Sequence, residues 1–160
     1  MKIFITGSSG FIGLHLSKKL LDKGHTVHGF DSMNTYYDIK LKKSRHQILK
    51  KYKKFSFTKG KLENQKILGK SILRFKPKII VHLAAQAGVR YSLKKPRTYL
   101  DTNIIGTYNI IEFAKKTNVK HLLIASSSSV YGANKKIPFK ETDKTEMQLS
   151  IYAATKKSTE

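Results

Sequence analysis

Two periods alternate along the chain from its first residues. Ile3-Phe4-Ile5 is a short, continuous apolar run suited to a buried strand, and from Phe11 to Lys23 the residues Ile12, Leu16 and Leu20 recur at helical spacing. Gly24 follows as the helix stop. Thr26 to Phe30 reads as a second strand, Tyr36 to Lys54 as a lysine-rich surface helix around Leu41, Ile48 and Leu49, and Phe55 to Thr58 as a third strand. A helix around Leu68, Ile72 and Phe75 comes next, and Pro77 prevents its continuation. Ile79 to Ala84 and Leu122 to Ala125 are nearly unbroken apolar runs, the pattern of central parallel strands covered on both faces. Between them Leu100, Ile104, Tyr108 and Ile111 mark a long helix. Strands that alternate with helices in this way predict parallel βαβ units and an α/β fold. Residues 152–160 read as the first turns of another helix without a stop signal, so a partial domain is expected, cut before its last strands. On that expectation Leu122 to Ala125 forms an open edge, prone to pairing with another chain.

Composition narrows the classes of function. A chain of 160 residues suits one core, and no apolar run approaches the ~20 residues of a membrane span. The N-terminus runs straight into a glycine loop and does not read as a signal peptide. The absence of cysteine removes disulfides and thiolate metal sites, which makes a cytoplasmic enzyme the natural expectation. Against 32 Lys and Arg stand only 10 Asp and Glu, a formal net charge of +22. The lysines are scattered, with one denser stretch from Lys40 to Lys61, and no nucleic-acid-binding signature accompanies them. Nucleic acid is therefore not the expected partner; a basic surface equally attracts an anionic cofactor or substrate. The six histidines, at positions 15, 25, 28, 46, 82 and 121, show no metal-ligand spacing, and His82 in its apolar strand reads as a hydrogen-bonded core residue. No metal is predicted.

The densest chemical signal is Thr6-Gly7-Ser8-Ser9-Gly10-Phe11-Ile12-Gly13, placed between a strand and a helix. Gly7 permits the tight turn, Gly10 lets backbone N–H groups approach a pyrophosphate, and Gly13 allows close packing of the helix. The phosphate then sits at a helix N-terminus, where free N–H groups and the dipole favour negative charge. Asp31, at the end of the second strand, completes the dinucleotide-binding pattern. Its carboxylate accepts from ribose hydroxyls and repels a 2′-phosphate, which predicts NAD rather than NADP.

A second constellation lies after the fifth strand: Ser126-Ser127-Ser128-Ser129-Val130-Tyr131-Gly132, then Tyr152-Ala153-Ala154-Thr155-Lys156. Residues four apart share a helix face, so Lys156 is expected beside the Tyr152 phenol. Bringing a phenol from a pKa of ~10 to ~7 takes ~4 kcal/mol. A cation at ~4 Å in an effective dielectric of ~20 supplies about that much.

Together these segments resemble the extended short-chain dehydrogenase/reductase family, the NAD-dependent epimerases and dehydratases of sugar nucleotides. The glycine loop, His82-Leu83-Ala84-Ala85, Asn103-Ile104-Ile105-Gly106, the serine run and the Tyr152/Lys156 pair stand in the family's order over the whole chain. The resemblance implies a Rossmann-type doubly wound parallel sheet over residues 1–160, here truncated before the last strands and the substrate domain. It implies Tyr152 as catalytic acid/base, Lys156 as its tuning partner on the nicotinamide ribose, and Ser127 as the hydrogen-bond partner of the reacting sugar hydroxyl. Gly7, Gly10, Phe11, Ile12, Gly13, Asp31, Leu62, Leu83, Ala84, Ala85 and Thr102 would join Tyr152 and Lys156 around the cofactor, with Asn103 mainly holding backbone. Ser129 and Arg90 are candidate substrate contacts. The likeness is strongest to UDP-glucuronate 4-epimerases, in Tyr36-Tyr37-Asp38 with Leu41, Lys42 and Arg45, in Gln86 to Ser92, and in Tyr152 to Lys157.

The dehydratases of this family carry an Asp-Glu pair after the catalytic Ser or Thr, because loss of water needs a further acid and base. Here those positions are Ser128 and Ser129, which favours 4-epimerisation through a transient 4-keto sugar. The resemblance also implies a homodimer for the full-length form and little turnover by the 160-residue chain alone. One residue departs from the pattern: Lys61 stands where an aspartate usually accepts from the adenine amino group, and lysine has only donors. Two other readings stay open, another epimerase or dehydratase of the family and a non-catalytic NAD- or RNA-binding protein of the same fold.

Overall fold

Five parallel strands, β1 (Lys2–Thr6), β2 (Thr26–Asp31), β3 (Phe55–Lys59), β4 (Ile79–His82) and β5 (His121–Ile124), pair in the order β3-β2-β1-β4-β5. The computed structural model describes residues 1–160. The order reverses between β1 and β4, and at such a switch point the loops after the strands part to leave a crevice. The helices are α1 (Phe11–Asp22), α2 (Ile39–Lys50), α3 (Gln65–Phe75), α4 (Val89–Lys94), α5 (Pro96–Tyr99), α6 (Gly106–Lys116) and α7 (Ile151–Lys157). A π-helical turn, Leu100–Ile105, joins α5 to α6.

Alternate residues of the strands face two separate cores. Phe4, Phe30 and Ile80 pack with Leu68 and Ile72 of α3 and Ile110 and Ala114 of α6. Ile3, Ile5 and Val27 pack on the other side with Leu14 and Leu21 of α1 and Leu49 of α2. This is the doubly wound arrangement, with helices on both faces of the sheet.

Three of the sequence expectations are corrected. In α1 the buried residues are Gly13, Leu14, Ser17 and Leu21, while Ile12 is exposed and Leu16 and Leu20 are half-buried. Gly13 sits directly against the Gly7 carbonyl, and that contact sets the rotation of the helix. In the long helix Tyr99, Asn103, Thr107 and Ile110 are buried, whereas Leu100, Tyr108 and Ile111 face outward and Ile104 is half-buried. Hydrogen bonds make the polar members of that buried row tolerable, as described below. The run Leu122 to Ala125 is not covered on both faces either: β5 spans His121–Ile124 at the edge of the sheet, with Leu123 exposed. No helix is long and apolar enough to cross a membrane.

His82 is a hydrogen-bonded core residue. The Thr6 hydroxyl accepts from the N–H groups of Leu83 and Ala84 at 3.1 and 3.0 Å, so its own proton is directed to His82 Nδ1 at 2.8 Å. His82 then carries its proton on Nε2 and donates to Thr107 Oγ1 at 3.0 Å. Burial, with Lys156 nearby, pushes this imidazole down to about 3. Burial and Arg74 push His28 down to about 4.

Both histidines therefore fold as neutral imidazoles. Below their ordinary value of 6.5 the unfolded chain takes up protons that the folded chain refuses, so stability falls as pH falls toward about 4. It is fully present above 6.5. Urea unfolding across this window is expected to show that decline, and His28→Gln is expected to make it shallower. An unchanged slope in the variant would contradict the account.

Candidate active site

The glycine loop follows β1 because its backbone has no room for side chains. Gly7 adopts φ of +71°, and a Cβ there would lie 3.0 Å from the Ala84 nitrogen. Its N–H donates to the Phe30 carbonyl at 2.7 Å, and its carbonyl accepts from Gly10 N–H at 2.9 Å. Gly10 caps α1 without a side-chain hydrogen bond. No acceptor within the chain takes the N–H groups of Phe11, Ile12 and Gly13. The first turn of α1 thus offers unpaired donors at the positive end of the helix dipole. The side chains of Phe11 and Ile12 are exposed, so these two residues meet a ligand through backbone alone.

A cleft of about 420 Å³ opens at the ends of the strands beside this loop. Gly7, Gly10, Asp31, Leu62, Leu83, Ala84, Ala85 and Thr102 line it, all of them predicted cofactor contacts. Phe11, Ile12, Gly13, Tyr152 and Lys156 lie outside its lining. Asp31 is buried at the floor, where its carboxylate accepts from Ser9 N–H at 3.1 Å and Met33 N–H at 2.8 Å. Lys61 and Glu63 also border the cleft and face each other at 3.7 Å, with the lysine side chain largely in solvent.

Sequence reasoning missed the cation beside Asp31. Lys42, from the second turn of α2, is buried and reaches the Asp31 carboxylate at 3.3 Å and the Asn34 side-chain oxygen at 3.1 Å. It also lies 5.3 Å from the centre of the Tyr37 ring. The sequence marked Lys42 only as part of the subgroup likeness, with no role assigned; its place on the inner face of α2, seven residues before the buried Leu49, brings it to Asp31.

The second half of the site is α7. Ser150 caps this helix by accepting from Ala153 N–H at 3.0 Å. Tyr152 is half-buried, its ring edge-on to Tyr99 at 6.1 Å between centroids. Lys156 is buried, and desolvation lowers its pKa against the opposing effect of Glu160. Its ammonium donates to the Ala125 carbonyl at 2.6 Å and makes no hydrogen bond to the Tyr152 phenol, which corrects the simple expectation from spacing. The carbonyl just beyond the end of β5 is the acceptor within reach of this desolvated cation. Ser127 is half-buried, and its hydroxyl accepts from Ser129 N–H at 3.2 Å. Arg90, at the start of α4, is exposed.

The buried polar row of the long helix ties the two halves together. Asn103, on the π-helical turn, accepts from Gln86 N–H at 2.7 Å and donates to the Gln86 carbonyl at 3.1 Å and to Thr155 Oγ1 at 3.0 Å. Tyr99, fully buried, holds its hydroxyl 2.7 and 2.6 Å from the carbonyls of Ala87 and Gly88, which share its single proton. One side chain holds the loop after β4 to α7, and its neighbour carries the ring against which Tyr152 rests.

The model of the GDP-mannose 4,6 dehydratase family matches residues 4–160. The chain belongs to that family. Relatives within it include a probable UDP-glucuronate 4-epimerase of Rhizobium meliloti, 50% identical over 160 residues, which cover 100% of this chain and 47% of the relative. Protein CapI of Staphylococcus aureus is 53% identical, with 100% and 48% covered. Among solved structures, the UDP-glucose 4-epimerase of Bifidobacterium longum in complex with NAD+ and UDP superposes with a TM-score of 0.85 at 27% identity, over 99% of this chain and 47% of that one. The chain spans about half the length of the relatives it matches.

Removing the cation of the Asp31–Lys42 pair leaves a buried carboxylate with two N–H donors. Lys42→Met is expected to cost about 3 kcal/mol of stability, the low end for breaking a buried pair. The exposed neighbour gives the control, with Lys43→Met changing stability by less than ~0.5 kcal/mol. Urea denaturation of both variants checks this; equal effects would remove Lys42 from the buried pair.

Proposed function

We propose that this chain binds NAD in the cleft beside the glycine loop and carries the proton-transferring residues of a nucleotide-sugar 4-epimerase acting on UDP-glucuronate. The observation that carries the reading is a cleft lined by Gly7, Gly10 and the buried carboxylate of Asp31, next to the helix start at Gly10 whose first N–H groups, at Phe11, Ile12 and Gly13, have no acceptor within the chain. The N–H groups suit a pyrophosphate and the carboxylate a ribose diol. The names of the relatives in both kingdoms of sequence and structure supply the substrate class.

When bound, NAD supplies the site that takes hydride from the sugar's C4 and gives it back. The tasks of the chain's own residues follow from their chemistry. Tyr152, as its phenolate, takes the proton of the 4-hydroxyl and, as the phenol so formed, later returns it, and Ser127 Oγ orients that hydroxyl by a hydrogen bond. Lys156 places a cation one helical turn from Tyr152, stabilising the phenolate that proton loss requires, and the Ala125 carbonyl holds the ammonium in place. Ser129 and Arg90 are assigned to substrate contact, the arginine to an anionic group of the sugar nucleotide. Glu63, at the cleft beside Lys61, is the acceptor closest to hand for the adenine amino group.

Calorimetric titration with NAD, NADP and RNA over a salt series tests the cofactor reading. NAD is expected to bind in preference to NADP, and Asp31→Ser is expected to erase the preference. Strongly salt-dependent RNA binding without NAD binding would overturn the reading in favour of a nucleic-acid protein. Glu63→Ala is expected to weaken NAD by ~1–3 kcal/mol if it takes the adenine contact. In assays of UDP-glucuronate conversion by the full-length form, Tyr152→Phe is expected to lower kcat by roughly 10²–10⁴-fold with NAD affinity unchanged. Full activity in that variant would remove Tyr152 from the reaction.

A further inference from the structure

The sheet face beneath α3 is apolar over β1 and β4 but changes character over β2 and β3. Phe4 and Phe30 belong to the core, whereas His28, Ser56 and Thr58 on the same face are polar. Phe55 and Phe57 turn the other way, Phe55 into the second core and Phe57 against His46 of α2. The hydroxyl face of β3 therefore looks toward α3, where a helix layer would ordinarily meet apolar side chains.

A cleft of about 680 Å³ lies between these strands and α3, larger than the 420 Å³ beside the glycine loop. It falls within the ~300–1,000 Å³ typical of small-molecule sites. On its inner wall His28 Nδ1 is 2.7 Å from Ser56 Oγ, and Nε2 is 3.0 Å from Thr58 Oγ1 and 2.9 Å from Ser71 Oγ. Ser71 Oγ also donates to Thr58 Oγ1 at 3.1 Å; with one donor and one acceptor from a neutral imidazole, acceptor lone pairs of these hydroxyls are still left for a group in the cleft.

Three cations, Lys2, Lys70 and Arg74, join Thr26 and the apolar Phe57, Ile67 and Phe75 in the rest of the lining, and no aspartate or glutamate is among the lining residues. None of the three forms an ion pair elsewhere in the chain. Like charges gathered around one polar cleft repel each other, and a bound anion turns that repulsion into attraction. The guanidinium fork of Arg74 and the ammonium groups of Lys2 and Lys70 match the oxygens of a phosphate.

We propose that this cleft is a second ligand site, separate from the cofactor cleft, which takes a phosphate monoester whose hydroxylated body lies along Ser56, Thr58 and Ser71. Sugar phosphates and nucleoside monophosphates share this chemistry. The proposal does not depend on the cofactor reading, because the two clefts share no lining residue.

Amide-resolved NMR titration of the protein with inorganic phosphate, glucose 1-phosphate and AMP, in separate arms, tests it. Saturable shifts are expected at the amides of His28, Ser56, Thr58 and Ser71, with at least one of the two esters binding several-fold tighter than inorganic phosphate. The ester that binds tighter identifies the body. Lys70 and Arg74 are exposed, so Lys70→Gln with Arg74→Gln preserves the fold, and it is expected to weaken binding at least tenfold. Ser56→Ala is expected to weaken the tighter ester and leave inorganic phosphate unchanged. Shifts confined to residues 7–13, no saturable shift with any probe, or unchanged affinity in the double variant would overturn the site. Equal affinity for all three probes would overturn the role given to the hydroxyl row.

Discussion

The backbone crowding around Gly7 governs the rest of the structure. Its α carbon lies against the start of the loop after β4, and its carbonyl receives Gly13 of α1 and the Gly10 N–H. A side chain at Gly7 would press on the Ala84 backbone in a left-handed conformation, and one at Gly13 would overlap the Gly7 carbonyl. Because these approaches are so close, the first turn of α1, with its free N–H groups, is held next to Gly10 at the cleft that the switch point opens. The same contact fixes which residues of α1 face the sheet, and it places small Gly13 and Ser17 where larger side chains would hold the helix away.

Hydrogen-bonded polar groups in the interior extend that control to the far side of the site. Thr6 links β1 to the first residues after β4 and, through His82, to Thr107 on α6. Asn109 donates to the Leu62 carbonyl at 3.0 Å, which ties the loop after β3 to the same helix. With Asn103 bound to Gln86 and Thr155, one helical rod therefore touches the loops after β3 and β4 and the helix carrying Tyr152 and Lys156. Such groups cost stability when left unpaired, so the network fixes a single arrangement of loops.

Much of this was legible in the sequence, for physical reasons that also set the limits. Gly7, Gly10, Gly13 and Asp31 could be read because the turn, the helix start and the strand end each demand a specific residue type at a specific spacing. The strands could be read because continuous apolar runs have few other uses. Tyr99 and Thr107 could not, since a periodicity argument puts apolar residues inside and polar ones outside, and here Leu100, Tyr108 and Ile111 take the outer face; Asn103 was expected to hold backbone through the family resemblance alone. Lys42 stood in the subgroup likeness, but its pairing was illegible for a different reason: a buried lysine is identified by its partner, and Asp31 comes near it only after β2 and α2 have folded together. The Lys156 contact with Ala125 depends likewise on where β5 ends, which spacing within one helix does not encode.

The π-helical turn at Leu100–Ile105 has a consequence for how this gene can change in length. In regular winding each residue advances the helix by ~100°, so a residue added or removed in α6 would swing Thr107 and Ile110 off the sheet. A π-helical turn is a wider loop of the same chain, and it holds surplus residues without passing their rotation on to the next turn. It acts as a phase adjuster between two rigid pieces, one matched to the loop that holds Gln86 and the other to the sheet. A one-residue deletion between Leu100 and Ile105 can therefore be absorbed by tightening to ordinary α winding. The same deletion a few residues later would break the register of everything that follows.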